Sequence, residues 1–317
     1  MTTTKVKKYS TLKTSKTVKT TYQDYVLSIA QKIKENIKKG ADVWVDNFDR
    51  SGSQLLPVNS QSKLYNGVNV LQLLFSQLEN KYKSNQWFTF KQINELGGSV
   101  RKGEKSEEVF FFTTYKKEGD AKTDYEYKNN GHLVKVKAGD KYKYTAICPK
   151  MYRVFNLTQT TLKDVDQEIK TDSGIESLIN AHNPKIVHHD IGQAYYSPEL
   201  DEIRLPSPKY FRTEADYQAT LLHELAHWTL HPSRLNREIN FSCKKSYAKE
   251  ELIAEISSTI LLKHFGINGE IKNHEKYIES WLSLLTDDDY MEAVKCCVKV
   301  FSFLLNINVN DQYEKVT

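Results

Sequence analysis

Ala219-Thr220-Leu221-Leu222-His223-Glu224-Leu225-Ala226-His227-Trp228 is the stretch on which the reading of this chain turns. It holds His-Glu-x-x-His inside an apolar helical pattern. Two His four apart project to the same side of a helix, because four residues make slightly more than one turn. Imidazoles so placed can share one Zn²⁺, with Glu224 beside them as a general base for water. Working outward, Thr213 is placed as N-cap with Asp216 at the third helical position, where the acid of a capping box sits. Downstream, Pro232 forbids continuation of the helix one turn after His227. Two incidental histidines are the plainer alternative, but a His pair with a Glu among Leu222, Leu225 and Trp228 needs a reason to be buried there.

A catalytic zinc needs three protein ligands and an open position. His231 continues the four-residue spacing, yet eight residues of helix rise about 12 Å, against metal–nitrogen bonds of about 2 Å. The Gly that lets a chain turn back after such a motif is absent, since Leu230 stands in its place. His231 is therefore excluded. Tyr247-Ala248-Lys249-Glu250-Glu251-Leu252-Ile253-Ala254-Glu255-Ile256 reads as a second helix, on which Glu251 and Glu255 share a face. Glu251 is taken as the third ligand. Glu255 is taken as the carboxylate that orients a ligand His through its other ring nitrogen. Surface charge on an acidic helix is the alternative for both.

The chain has 317 residues, enough for two domains, and its 11% aromatic content is that of a globular protein. Its four cysteines (Cys148, Cys243, Cys296, Cys297) have neither zinc-ribbon nor disulfide-framework spacing. The N-terminus lacks an apolar signal core and no run reaches membrane-spanning length, so a soluble, cytoplasmic protein is expected. The net charge of +5 conceals an asymmetry. Residues 1–160 carry 28 Lys and Arg against 15 Asp and Glu, while residues 161–317 carry 17 against 25. A basic half joined to an acidic half predicts two tasks, with a polyanion as partner of the first. Solvated lysines would give the same count.

Residues 1–20 are Thr and Lys with little to bury, as in a disordered basic tail. An amphipathic helix is expected from Tyr22 to Ile37, capped at Gly40, then a loop past Trp44, Phe48 and Pro57, a turn at Asn66-Gly67 and a buried helix over Val68–Leu78. Thr89 and Gln92 form a capping box for a short helix ended by Gly97-Gly98. Strands are expected over Val100–Lys105 and Val109–Tyr115, with a mobile hairpin insertion over 116–142 and a domain boundary near Thr160. Aromatic rings beside basic groups suit single-stranded nucleic acid, where bases stack and cations follow the backbone. Trp87, Phe88, Phe90, Lys91, Arg101, Lys102 and Lys105 are the candidates. Core rings and a solvated basic loop are the alternative. The second half opens with a helix through Ile175 and Leu178. Three short strands follow, over Lys185–His189, Gln193–Ser197 and Glu202–Pro206, able to hold an extended peptide. It closes with helices over Tyr277–Leu285 and Ala293–Leu305.

These stretches resemble the ArdC-type antirestriction proteins of conjugative plasmids and related mobile elements. The resemblance is carried by Tyr65-Asn66-Gly67-Val68-Asn69-Val70-Leu71, Trp87-Phe88-Thr89-Phe90-Lys91-Gln92 and Leu96 to Lys105. It extends through Val154-Phe155-Asn156, Ala194-Tyr195-Tyr196-Ser197-Pro198, Leu222 to Leu235 and Glu250 to Glu255. It implies an α+β chain of two domains, an N-terminal small-sheet-plus-helices domain binding single-stranded DNA and a C-terminal gluzincin-type metallopeptidase domain. It further implies protection of incoming DNA from host restriction, with Zn²⁺ or another divalent metal and a protein or peptide substrate. A non-catalytic zincin on a DNA-coating module, or a DNA-scaffolded repair protease, would carry the same motifs. The tail and the 116–142 insertion have no counterpart in the resemblance, and the oligomeric state is not legible.

Overall fold

The computed structural model describes residues 21–38, 56–120, 125–129, 132–139, 141–163, 174–190, 192–267 and 283–307. The expected basic tail, the loop around Trp44 and Phe48, Gly40 and most of the Tyr277–Leu285 helix lie outside them. The first half begins with helix α1 (Tyr22–Lys38) and helix α2 (Val68–Glu79). Strand β1 (Trp87–Thr89) runs directly into helix α3 (Phe90–Glu95). The predicted capping box is present, with the Thr89 hydroxyl accepting from the Gln92 N–H and the Gln92 side chain accepting from the Thr89 N–H. Helix α3 ends where Gly97 takes a φ of 78°, and the Gly98 N–H reaches back to the Ile93 carbonyl at 2.9 Å.

Two long strands, β2 (Glu107–Asp120) and β5 (Lys141–Asn156), pair antiparallel without a break from Glu107↔Val154 to Asp120↔Lys141. Between them β3 (Tyr125–Asn129) and β4 (His132–Val136) form a second antiparallel pair. The described residues of 116–142 thus pair as antiparallel strands. The sheet order is β1-β5-β2. Asn69 pins α2 to this sheet, its amide donating to the Phe110 carbonyl at 2.7 Å and accepting from the Phe110 N–H at 2.9 Å.

One expected strand is not there. Of Val100–Lys105 only Val100 pairs, as an isolated bridge to Thr160. Gly103 at φ 93° then turns the chain, and the Glu104 N–H meets the Arg101 carbonyl at 3.3 Å. Six residues with a left-handed Gly near one end make a turn rather than a ladder.

The second half opens with helix α4 (Gly174–His182) and a three-stranded sheet ordered β6-β8-β7. Here β6 (Lys185–His189) is parallel and β7 (Tyr195–Ser197) antiparallel to the central β8 (Glu202–Pro206). Three helices follow: α5 (Glu214–Trp228), α6 (Lys244–His264) and α7 (Asp287–Leu304). Helix α7 starts six residues before the expected Ala293. Thr286 caps it in a reciprocal box with Asp289, and three acids fill its first turn. The apolar core is continuous across position 160, from Tyr25, Ile29 and Ile33 of α1 to Val294, Phe301 and Leu304 of α7. At the edge of that contact, Lys34 Nζ lies 2.7 Å from an Asp287 carboxylate oxygen. The architecture is α+β in two parts, a sheet-and-helix first half and a helical second half with its own small sheet.

Candidate metal centre and nucleic-acid surface

Helix α5 starts where expected, with the Thr213 hydroxyl accepting from the Asp216 N–H at 3.1 Å. It is buried nearly all round: Leu221, Leu222, Leu225 and Ala226 are core, and so are His223 and Glu224. A helix carrying imidazoles through such a core must pair them. The partners come from α6, which packs beside α5. His223 Nε2 lies 3.2 Å from His227 Nε2. One Glu251 carboxylate oxygen lies 3.4 Å from His223 Nε2, and the other lies 3.6 Å from His227 Nε2. A tetrahedral ion held at about 2.0–2.2 Å separates its ligand atoms by about 3.3–3.6 Å. The nitrogen pair comes close to such an edge, while the two Glu251 distances belong to different carboxylate oxygens; what is gathered is three donors within 4.8 Å of one another, two imidazole nitrogens and a carboxylate. The residues fit a divalent metal ion.

The outward ring nitrogens each face a carboxylate of α6. His223 Nδ1 lies 3.5 Å from a Glu255 oxygen, the placement expected of Glu255. His227 Nδ1 lies 3.2 Å from Glu250 Oε1. Glu250 is in turn gripped by Arg237, whose Nη2 and Nε donate at 2.5 and 3.1 Å. Arg237 also donates to Thr229 Oγ1 at 2.6 Å and to the Ala226 carbonyl at 3.1 Å, closing the C-terminal end of α5. His231 is elsewhere, bonded through Nδ1 to Ser233.

Burial alone would lower the pKa of both imidazoles, but the carboxylates of Glu251 and Glu255 more than offset it at His223 and carry that ring well above its usual range. At His227 the same opposition, with Glu250 and Glu251 as partners, leaves the ring at about 9. Burial likewise works against the charged form of Glu251, and the two histidines outweigh it, holding the carboxyl far below its ordinary value. Protons on the imidazoles and a divalent cation are alternative answers to the same carboxylates. Tyr247, one turn before Glu251 on α6, hydrogen-bonds Glu251. Burial, then the charge of Glu251, raise its hydroxyl pKa.

The aromatic and basic candidates of the first half separate into two groups. Trp87 is 0% exposed, edge-on to Tyr82, and Phe88 is 6% exposed in a small cluster with Ile93 and Leu157. Neither ring can stack on a base; this part of the expectation is corrected. Adjacent strand residues face opposite sides of the sheet, and here both sides are covered. Phe90, at the first position of α3, is 56% exposed. Lys91, Arg101, Lys102 and Lys105 are exposed too, Lys91 within a loose 3.5 Å pair with Glu95.

Residues 23–155 match the family model described as the N-terminal domain of anti-restriction factor ArdC, and residues 173–294 match a zincin-like metallopeptidase model. The metal-free crystal structure of the antirestriction ArdC protein from plasmid R388 is 31% identical. It covers 92% of this chain and 100% of its own, with a TM-score of 0.66. The chain belongs to the ArdC antirestriction family. The Mn(II)-bound structure of the same R388 ArdC protein, also 31% identical, covers 89% of this chain and 97% of its own at a TM-score of 0.65. The DNA primase TraC of Escherichia coli is 32% identical over 302 residues, 91% of this chain, and the chain spans only 28% of that primase's length. The two halves of the fold are therefore an ArdC N-terminal domain and a zincin-like domain, and the three-donor set lies in the second. Sequence reading missed the Glu250–Arg237 pair. Its one signal was the Glu250-Glu251 dipeptide, which places a second carboxylate a third of a turn from the ligand.

Proposed function

We propose that this ArdC-family chain binds single-stranded DNA through its first half and hydrolyses peptide bonds at the His223–His227–Glu251 centre, protecting incoming DNA from host restriction. The observation that carries the hydrolytic reading is the gathered three-donor set with buried Glu224 next to a donor on the same helix. A divalent ion, Zn²⁺ in this reading, supplies Lewis acidity toward the scissile carbonyl and acidifies water when bound. Glu250 accepts from the Nδ1–H of His227 and the Glu255 carboxylate faces Nδ1 of His223, which favours the tautomer that leaves each Nε2 lone pair for the ion. The Glu224 carboxylate takes the proton of the attacking water and delivers it to the leaving amine nitrogen. A peptide strand is accommodated by addition to the β6-β8-β7 sheet, whose strands β7 and β8 contact α5.

DNA binding rests on the exposed Arg101, Lys102, Lys105, Lys91 and Phe90. Among the described residues no helix is long and apolar enough to cross a membrane, in keeping with action on DNA in the cytoplasm. The reading is tested by Glu224→Gln, which removes the base and keeps the ligands. Peptide hydrolysis and protection in transfer assays should both fall. Full protection with no hydrolysis would assign the centre a structural role. Arg101→Ala with Lys102→Ala should weaken single-strand binding on every sequence and flatten its salt dependence; unaltered binding would move the interface elsewhere.

A further inference from the structure

Beside Glu104, at the end of the Arg101–Glu104 turn, lies a shallow, widely open cavity of about 580 Å³. That volume falls in the usual range of small-ligand sites, roughly 300–1,000 Å³. Its walls come from the start of α1, the turn leading into β2, and β5. Phe155 and Arg153 alternate on β5, so both side chains face the same side of the sheet and stand next to one another. Asp24, Glu104, Glu107 and Glu108 supply carboxylates, Asp24 accepting through Oδ2 from the Thr21 N–H and hydroxyl at 2.9 and 2.7 Å, and Lys105 is the lysine among the lining residues.

The carboxylates are not equivalent. Glu107 is occupied on both oxygens, by Gln72 at 2.6 Å and Ser76 at 2.8 Å. Glu108 sits opposite Arg153 in the ladder and pairs with it at 3.4 Å. Glu104 is tethered by one oxygen only, Oε2 accepting from Gln159 Nε2 at 3.0 Å. The same Gln159 amide donates to the Lys105 carbonyl at 2.8 Å, so the turn that presents Glu104 is fixed from below. Of the cations placed to follow a phosphate backbone, Lys105 lines the cavity, and Arg101 and Lys102 precede it in the same turn. The cavity offers a half-buried ring, a guanidinium and an acceptor tethered by one oxygen.

We propose that this cavity receives one base of the bound single strand, stacked between Phe155 and Arg153, with Glu104 selecting guanine. The proposal rests on the reading that the first half binds single-stranded DNA. A carboxylate accepts from N–H donors and donates nothing. Guanine presents adjacent imino and amino donors, matching both oxygens of one carboxylate. Cytosine and adenine offer an amino group beside a ring acceptor. Thymine offers one imino N–H between two carbonyl oxygens that a carboxylate repels. Stacking on an aromatic ring is indifferent to base identity, so selection falls to Glu104.

The test is fluorescence anisotropy with a labelled thymidine homopolymer and the same strand carrying isolated guanines. The native chain should bind the guanine strand about tenfold tighter, within the discrimination of one bidentate contact. Glu104→Gln should erase that advantage and raise homopolymer affinity, since Gln keeps the acceptor to Gln159, loses one of the two oxygens and removes the charge that repels the thymine carbonyls. Phe155→Leu should weaken both strands. Equal binding of the two strands by the native chain overturns the pocket and leaves single-strand binding standing. Binding of neither strand overturns both. A guanine advantage that survives Glu104→Gln, or spermine binding abolished by Glu104→Gln with no guanine preference, also overturns it.

Discussion

Replacing Glu250 by Ala should cost far more than the loss of a surface charge. Glu250 is buried, and both its oxygens are engaged, one by His227 and Arg237 and the other by Arg237. Its removal leaves the Arg237 guanidinium, whose side chain is only 10% exposed, with Thr229 and the Ala226 carbonyl as its remaining partners. An uncompensated buried charge costs about 3–5 kcal/mol. At about 2–4 °C per kcal/mol for a domain of this size, the metal-free melting temperature should fall by roughly 6–20 °C. His227 also loses the acceptor that fixes its Nδ1 proton, so divalent-metal affinity should drop about 10- to 100-fold. The control is Glu250→Ala with Arg237→Leu, which removes the stranded charge. That pair should recover at least half of the lost stability and none of the lost metal affinity. Circular-dichroism melts in chelator, paired with metal titrations, read the two effects separately. A single variant that loses under about 1 kcal/mol, or a double variant less stable than the single, would refute the charge argument.

Two further outcomes follow from the geometry. In the metal-free chain His227 is raised to about 9 from an unfolded value of about 6.5. Its contribution to folding is therefore complete below about pH 6.5 and is lost as pH rises through about 9. Metal must displace that proton, so titrations should show affinity climbing across the same window, and a flat profile would contradict the protonated pair. Trp87→Ala should destabilise the first half by about 3–5 kcal/mol, whereas Phe90→Ala should shift chemical denaturation by less than about 0.5 kcal/mol and weaken single-strand binding; the reverse assignment would restore Trp87 as a stacking ring.

The metal helix was legible because its signals are local. A Thr213 cap, a four-residue His spacing and the Pro232 stop lie within one element, and helix geometry alone removes His231. Glu251 required a second element, yet the Glu251–Glu255 spacing announced a shared face. The Glu250–Arg237 pair was not legible, because Arg237 lies in the irregular segment between α5 and α6, where no period says which way a side chain turns. Trp87 and Phe88 were misread for a related reason. Alternation along a three-residue strand says that the two rings face opposite ways, but not that Tyr82 covers one side and Ile93 with Leu157 the other. The start of α7 was missed although Thr286-Asp287-Asp288-Asp289 carries a capping signal, because the apolar run begins only at Tyr290.

The central claim is that His223, His227 and Glu251 together hold one divalent metal while Glu224 does not. Metal content per chain after Zn²⁺ reconstitution and gel filtration, read by plasma emission, tests it in four proteins. The native chain and Glu224→Gln should each retain about one equivalent, and His223→Ala and Glu251→Ala should retain about none. Equal metal in all four, or none in the native chain, would contradict the account.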